Sequence, residues 1–226
     1  MHPLLTQACS QADQVISKAL GRATPVLTRP SDHADLSSPV PRALGMDGER
    51  LAARLELSGT WLESVAVQDG FLNFALRRSW FSAAAAQPPE MVPFPELPPV
   101  SADFPAKIHP FDWRFLTALR GREPDPAVAA RQDGENPGAL VRLTLCRLEE
   151  IASRVTEGEQ WDRSGRRLLL LLSRFEPEAR PKRQAIFLAA AAGEMWEIGP
   201  LHLSAPLADF ARGVFSQGCA ALTKGK

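Results

Sequence analysis

The distribution of proline constrains this chain more than any other feature of its sequence. Eleven of the twenty prolines fall within residues 88–137, and eight of them lie between Pro88 and Pro110. Because proline fixes φ and lacks a backbone donor, this stretch cannot form a regular helix or a central strand. We expect an extended, semi-rigid segment of polyproline II character. The sequence therefore predicts two domains, residues 1–82 and 136–226, joined by a Pro-rich connector at 83–135.

The connector is also rich in large apolar side chains, which a free linker seldom contains. We therefore expect it to lie against one or both domains as a clamp, with a short helix over its C-terminal part, residues 113–119. The alternative is a docking strip for a protein partner, formed by exposed aromatic residues such as Phe94 and Phe111. The large apolar residues are Phe94, Leu97, Phe104, Phe111 and Trp113.

Composition and charge exclude several classes of protein. The 226 residues include 26 basic and 26 acidic side chains, and this zero net charge argues against non-specific coating of nucleic acid. No apolar run is long enough to span a membrane, and the first residues lack the pattern of a secretory signal. Cys9, Cys146 and Cys219 are scattered, so we expect a reducing, cytoplasmic location and no disulfide framework. Cys146 is predicted to be a small core residue of a helix.

The N-terminal domain has the pattern of an α+β fold. Apolar spacing predicts one helix over Ala8–Leu20 and a second over Gly48–Leu55, with Asp47 as the N-cap of the second. Strands are predicted at 64–67 and 71–76, on either side of an Asp-Gly hairpin signal at 69–70. In the second strand, Leu72, Phe74 and Leu76 share one face, while Phe71, Asn73 and Ala75 share the other.

The C-terminal domain has the pattern of a small helical bundle, which makes the chain mainly α overall. Asn136 is a good N-cap, and Pro137 suits the first helical position. Further helices are predicted at 166–174, with five consecutive leucines, at 182–197 after Pro181, and at 206–222 after Ser204. The core stripe of the first helix is predicted at Val141, Leu145, Leu148, Ala152 and Val155.

Motifs of catalysis and cofactor binding are missing from the sequence. It contains no phosphate-binding loop, no dinucleotide-binding glycine motif, no nucleophile elbow and no zinc-protease motif. The dispersed histidines have no second metal ligand at helical spacing. We therefore expect no enzyme activity, no catalytic residues, no metal and no cofactor. The four histidines are His2, His33, His109 and His202.

Residues 136–147, NPGALVRLTLCR, resemble the opening helix of the DALR anticodon-binding domain of arginyl-tRNA synthetases, whose pattern is approximately N-P-x-x-Y-V-Q-Y-A-H-A-R. Leu143 and Leu145 replace the family's Tyr and His, and Arg142 replaces its Gln. The helix predicted at 206–222 is similar to the last helix of the same family. The matching residues are Asn136, Pro137, Val141 and Arg147.

Two earlier segments resemble the N-terminal additional domain of the same synthetases. ADLSS at 34–38 is similar to the family's G-D-[YF]-x-[ST]-N, and QDGFLNF at 68–74 to G-P-G-[FY]-[IL]-N-[FV]. Pro39 replaces the family's Asn, and Gln68-Asp69 replaces its Gly-Pro. Together the two resemblances cover both predicted domains, in the family's order. The matching residues are Asp35, Ser38, Gly70, Phe71, Leu72, Asn73 and Phe74.

The resemblance implies a synthetase without its catalytic domain, because the connector occupies the place of the nucleotide-binding domain and has neither its HIGH-type nor its KMSKS-type motif. Lys107-Ile108-His109-Pro110 is no substitute. We therefore expect no aminoacylation, but a non-catalytic tRNA-binding protein that grips the D-loop and the anticodon arm. The alternative is an adaptor that partners a tRNA-modifying enzyme or a synthetase and has lost RNA binding.

The candidate RNA-binding residues come from the motifs and from charge. In the family, the aromatic residue and Asn of the 70–73 motif belong to the surface that reads the D-loop, whereas a purely structural interpretation makes Phe71 core and Asn73 a turn or edge residue. Residues 136–226 have a net charge of +3, and seven basic residues fall within 163–183, although a solvated helix surface would have the same pattern. The absence of tyrosine leaves few stacking platforms. The candidates are Phe71, Asn73, Arg142, Arg147, Arg163, Arg166, Arg167, Lys182 and Arg183.

Overall fold

The computed structural model describes residues 1–93, 105, 107–151, 161–198 and 203–224. The chain divides into two compact units, Met1–Ala84 (unit 1) and Ala85–Lys226 (unit 2). Over the described ranges it forms ten helices and one four-stranded antiparallel sheet. The fold is therefore mixed α/β and mainly helical, as predicted at this coarse level.

Unit 1 combines the sheet with short helices. Its strands are β1 (Arg29–Pro30), β2 (Leu36–Ser38), β3 (Leu62–Gln68) and β4 (Phe71–Leu76), and they lie in the order β1-β2-β4-β3 with every neighbouring pair antiparallel. Its helices are α1 (Pro3–Leu20), α2 (Val40–Leu44), α3 (Gly48–Ala52) and α4 (Arg78–Ala85), the last of which ends at the boundary between the units.

The β3–β4 hairpin forms at the predicted position. Asp69 has φ 52° and Gly70 has φ 79°, the two positive φ values that a type I′ turn requires. The turn contacts α2, where the Arg42 N–H donates to the Gly70 carbonyl at 3.1 Å. Beyond the turn, Leu72, Phe74 and Leu76 are buried on one face of the sheet. The predicted division of this strand into two faces is therefore confirmed.

The helices of unit 1 differ from the prediction at their ends. Helix α1 begins at Pro3 instead of Ala8, because the His2 side chain accepts a hydrogen bond from the Leu4 N–H and Pro3 suits the first helical position. Asp47 is the N-cap of α3, as predicted, and accepts from two backbone N–H groups. Helix α3 ends at Ala52 instead of Leu55, and residues 53–54 form a turn.

Unit 2 is a helical bundle in the part of the chain that is described. Its helices are α5 (Pro110–Arg120), α6 (Pro126–Ala129), α7 (Pro137–Ile151), α8 (Arg163–Ser173), α9 (Pro181–Ile198) and α10 (Ala205–Lys224). Helices α5, α7, α9 and α10 all contact one another. Their fully buried side chains form the core: Phe111, Phe115, Val141, Leu188, Met195, Phe210 and Phe215.

Several predictions for unit 2 are confirmed. Asn136 is buried, and its Oδ1 accepts from the Gly138 and Ala139 N–H groups at the start of α7. The stripe of α7 is buried as far as Leu148, while Ala152 and Val155 lie outside the described residues. Four of the five leucines of α8 are buried. Helices α8, α9 and α10 begin at or before their predicted first residues.

Cys146 differs from the prediction, because it is exposed on α7 and is not a core residue. It follows the buried Leu145 directly, and one residue turns a helix by about 100°, which moves its side chain off the buried stripe. Cys9 and Cys219 are buried. Burial raises the pKa of the Cys219 thiol to about 12.

The predicted connector is not a separate spacer over its described part. Helix α5 buries Phe111, Phe115 and Leu116 completely and packs on α7 and α9, so it belongs to the bundle. Phe111 is therefore not available for the docking strip. The helix extends three residues before and one beyond the predicted 113–119. Phe94, Leu97 and Phe104 lie outside the described residues.

The first part of the proline-rich stretch lies along α10. The Gln217 Nε2 donates to the Glu90 carbonyl at 2.9 Å, and the Val92 N–H donates to the Ser216 Oγ at 3.3 Å. Gly213 permits this approach, since a β-carbon there would overlap the Pro89 carbonyl. Residues 89–92 thus lie against the bundle, as expected of a connector that does not float.

Replacing Gly213 by alanine is expected to lower the free energy of unfolding by about 1–3 kcal/mol, because the added methyl group forces Pro89 or α10 to move. Gly193→Ala is the matched control, because it is also helical but its added methyl group meets open space. That control should gain up to about 1 kcal/mol from helix propensity. Urea denaturation of both variants measures the difference. Equal stabilisation by the two changes would contradict the packing of residues 89–92 on α10.

Candidate nucleic-acid interface

The sheet of unit 1 has an open face, opposite the face that buries Leu72 and Phe74. One row across its four strands consists of Arg29, Ser37, Asn73 and Ala66, which lie in register as cross-strand partners. None of the four side chains is buried. Since directly paired residues project from the same side of a sheet, a guanidinium, a hydroxyl and an amide lie next to one another on this face.

Phe71 and Asn73 are brought together on the open face. The Phe71 ring is half-buried, and the Arg42 guanidinium carbon lies 5.8 Å from its centroid. The Asn73 Oδ1 accepts from the Ser37 hydroxyl at 2.8 Å, and Asn73 lies on β4, an interior strand. Phe71 is thus not a core residue, and Asn73 is not in a turn or at an edge. We call Arg29, Ser37, Arg42, Phe71 and Asn73 the open-face cluster.

The chemistry of the open-face cluster suits a ligand that is flat and anionic. The Phe71 ring offers a stacking surface, and the bond from Ser37 orients the Asn73 amide. Arg29 and Arg42 place two positive charges beside them. Sequence reasoning missed Arg29 and Ser37, because β1 and β2 are only two and three residues long and reach this face through the pairing of β1 with β2 and of β2 with β4. It missed Arg42 because this residue lies on α2 and meets the Phe71 ring only in the folded unit.

Arg142 is bound inside unit 2. Its guanidinium makes two hydrogen bonds of 3.0 Å to the carboxylate of Asp112 on α5 and a third to the Gln132 side chain. Asp112 is 0% exposed and Arg142 only 18%. Next to this pair, a β-carbon on Gly138 would lie 2.8 Å from the Asp112 Cα, so α5 and α7 cross closely here. This candidate therefore joins two helices of the bundle.

His109 lies beside the same ion pair. Its Nδ1 accepts from the Phe111 N–H at 3.2 Å and caps α5. Desolvation, followed by the positive charge of Arg142, holds the pKa of this imidazole below its usual 6.5, although Asp112 opposes the shift. The neutral form, which keeps an acceptor at Nδ1, is therefore favoured in the folded protein.

Because the pKa of His109 is lower in the folded state, the unfolded chain binds more protons as the pH falls below about 6.5, and stability decreases. We expect the native chain to lose more free energy of unfolding between pH 7 and pH 5 than His109→Asn, which keeps an N-cap acceptor without titrating. Urea denaturation at the two pH values makes the comparison. The same loss in both proteins would show that His109 contributes nothing to the pH dependence.

The basic run at 163–183 does not form one patch. Arg167 pairs with Glu194 near the end of α9 at 2.6 Å, whereas Arg183 at its start pairs with Glu176 at 3.2 Å. Helices α8 and α9 are therefore antiparallel, and these two ion pairs lie about 17 Å apart along α9. At the start of α8 lie Arg163, Arg166 and Arg167. At the opposite end of the α8–α9 pair lie Lys182 and Arg183.

The remaining candidates and one unpredicted aromatic residue lie on the surface of the bundle. Arg147 is exposed on α7 and pairs with Glu150 at 2.7 Å. At the start of α8, Arg163 and Arg167 are exposed, and the Arg166 Nε donates to the Trp161 carbonyl. Trp196 on α9 is 41% exposed, and its Nε1 donates to the Thr144 Oγ1 at 2.9 Å. No sequence motif pointed to this tryptophan.

Among the described residues, no group of three or more His, Cys, Asp or Glu side chains is arranged to hold a metal ion. None of the helices over the same ranges is both long and apolar enough to cross a membrane. Comparison with protein-family models, with curated protein sequences and with solved structures finds no match to this chain.

Proposed function

We propose that this chain is a non-catalytic tRNA-binding protein whose two units derive from the RNA-gripping ends of an arginyl-tRNA synthetase. The observation that supports this most is the open-face cluster of unit 1. Its ring, oriented amide and two guanidinium groups lie together on one exposed side of the sheet. The segment that includes Phe71 and Asn73 is also the one that resembles the D-loop-binding motif of that family.

Recognition by the open-face cluster would target unpaired bases. Proteins bind single-stranded RNA loops by stacking splayed bases on aromatic rings and by hydrogen-bonding to their edges. Phe71 would supply the stacking surface, and the Asn73 amide, oriented by Ser37, would contact a base edge. Arg29 and Arg42 would neutralise the phosphates on either side. A tRNA D-loop, with its unpaired bases, is a ligand of this kind.

In unit 2, we assign the phosphate contacts of the anticodon arm to Arg163, Arg166 and Arg167. They lie within two turns at the start of α8, and Arg163 and Arg167 are exposed. Arg167 also pairs with Glu194, but the Arg167 side chain is 68% exposed, so a phosphate can approach its guanidinium from solvent. Arg142 is excluded from this surface by its bonds to Asp112.

Reversing two charges at this site tests the assignment. We expect the double variant Arg163→Glu/Arg167→Glu to bind total tRNA at least about tenfold more weakly and to reduce the slope of log K against log salt by about 1.4–1.8. The matched control is Lys182→Glu/Arg183→Glu, which changes the net charge by the same amount at the other end of the α8–α9 pair. It should weaken tRNA binding less. Filter binding over a range of salt concentrations measures both. Equal effects of the two double variants would contradict the assignment.

A further inference from the structure

Helix α9 has an apolar face that points to solvent. Ile186 is 51% exposed and Trp196 is 41% exposed. The outward positions between them are occupied by Ala189, Ala190 and Gly193, which follow at intervals of three or four residues and so lie on one side of the helix. A β-carbon on Gly193 would meet nothing within 4 Å. The face thus presents a projecting Ile186 and, two turns further on, a hollow at Gly193.

The two ends of this face have opposite charges. Lys182 and Arg183 are exposed at its beginning, and Glu197 is exposed at its end. Arg183 pairs with Glu176, and both side chains are solvent-accessible. An exposed pair of this kind is worth at most about 1 kcal/mol, so Arg183 can exchange one carboxylate for another at little cost. A helix with this arrangement of charge is complementary to an antiparallel copy of itself.

We propose that a second copy of this chain packs antiparallel against this face of α9, about a two-fold axis that passes between Ala189 and Ala190. A two-fold interface must be self-complementary, since each residue contacts the symmetry-related surface of the other copy. The α9 face meets this condition in both shape and charge. The small alanines at the axis allow the two backbones to approach closely.

The side chains fit this arrangement position by position. Ile186 of one copy lies opposite Gly193 of the second copy and fills its hollow. Arg183 lies opposite Glu197 of the second copy, on the edge of the face nearer α8. Lys182 lies opposite the ring of Trp196, on the edge nearer α7, where a cation–π contact is possible. Arg183 pairs with Glu176, which follows α8, so its edge of the face is the one nearer α8. Trp196 donates to Thr144 on α7, so its edge is the one nearer α7.

The size of the face sets the expected strength of the interface. From Lys182 to Glu197 it is about 23 Å long, and a helix with its side chains is about 10 Å wide. This is smaller than the roughly 800 Å² per partner of a standard stable interface. We therefore expect a weak dimer that forms at high protein concentration and dissociates on dilution.

Sedimentation velocity of the full, nuclease-treated chain over a range of concentrations tests the proposal. The native chain should shift from monomer to dimer. Gly193→Leu should raise the dissociation constant at least about tenfold, because it fills the hollow that Ile186 needs. Its fold should persist, since the position is open. The control, Gly134→Leu, makes the same change at another open position of unit 2 and should leave the dimer unchanged.

A charge exchange tests the antiparallel register directly. Arg183→Glu alone and Glu197→Arg alone each place like charges opposite one another at both ends of the interface. Each should therefore raise the dissociation constant of the dimer at least about tenfold. An equimolar mixture of the two variants restores both ion pairs and should dimerise like the native chain. A native chain that stays monomeric, because another occupant such as a helix of a different protein covers the face, would overturn the proposal. A Gly193→Leu variant that dimerises as strongly as the native chain would also overturn it. So would a mixture of Arg183→Glu and Glu197→Arg that dimerises no better than either variant alone.

Discussion

Replacing Asp112 by alanine is expected to lower the free energy of unfolding by about 3–5 kcal/mol, a substantial part of the stability of a domain of this size. The reason is that Arg142 would remain largely buried with its charge uncompensated. Both of its bonds to Asp112 are 3.0 Å long, and Asp112 is completely buried. The loss can be measured by urea denaturation.

Two controls separate the buried pair from a general effect of charge. Arg147→Ala removes the ion pair with Glu150 on the surface of α7, in which both side chains are exposed, and should cost no more than about 1 kcal/mol. The double replacement Asp112→Leu/Arg142→Met removes both charges, so it should be much less destabilising than Asp112→Ala alone. If Asp112→Ala lowers the free energy of unfolding no more than Arg147→Ala does, the bond between α5 and α7 does not contribute as described.

Replacing Phe71 by alanine is expected to weaken tRNA binding by about 5- to 150-fold, which corresponds to the 1–3 kcal/mol that an aromatic side chain contributes per stacked base. The fold should tolerate the change, because the ring is half-buried and its contact with Arg42 is worth only about 0.5–1 kcal/mol. Filter binding at one fixed salt concentration measures the effect. Because Phe71 is uncharged, the salt dependence of binding should stay the same.

The matched variant for this prediction is Phe71→Trp, which keeps a stacking surface and should bind within a few fold of the native chain. Phe71→Leu keeps apolar bulk but not the π-face, and should behave like Phe71→Ala. If leucine and tryptophan support binding equally, the ring supplies packing alone and does not stack on a base.

The sequence predicted the parts of the fold that depend on local chemistry. Asp69-Gly70 adopts its hairpin turn because both residues tolerate positive φ, and Asn136 caps α7 because its side chain reaches the nearby N–H groups. Strands β1 and β2 were missed because two or three residues have no periodicity. They form by long-range pairing, β2 with β4 and β1 with β2.

The candidate site was predicted less completely, for a related reason. Phe71 and Asn73 share a face because strand geometry alternates, which can be predicted from the sequence. The pairing of Arg142 with Asp112, thirty residues earlier, is not a local property. The proline content predicted an extended connector over residues 83–135, whereas the buried phenylalanines of α5 place that helix in the bundle. The basic run looked continuous, but the turn between α8 and α9 separates its ends.

The most direct test of the central claim is the binding of total tRNA to the full, nuclease-treated chain by filter retention between low and physiological salt. We predict saturable retention whose log K falls linearly with log salt, with a slope of roughly −0.7 to −0.9 for each phosphate contacted. Five contacts, two from Arg29 and Arg42 of the open-face cluster and three from the arginines at the start of α8, would give a slope of about −4. No retention of tRNA at low salt would contradict the account and would favour the adaptor alternative, in which RNA binding has been lost.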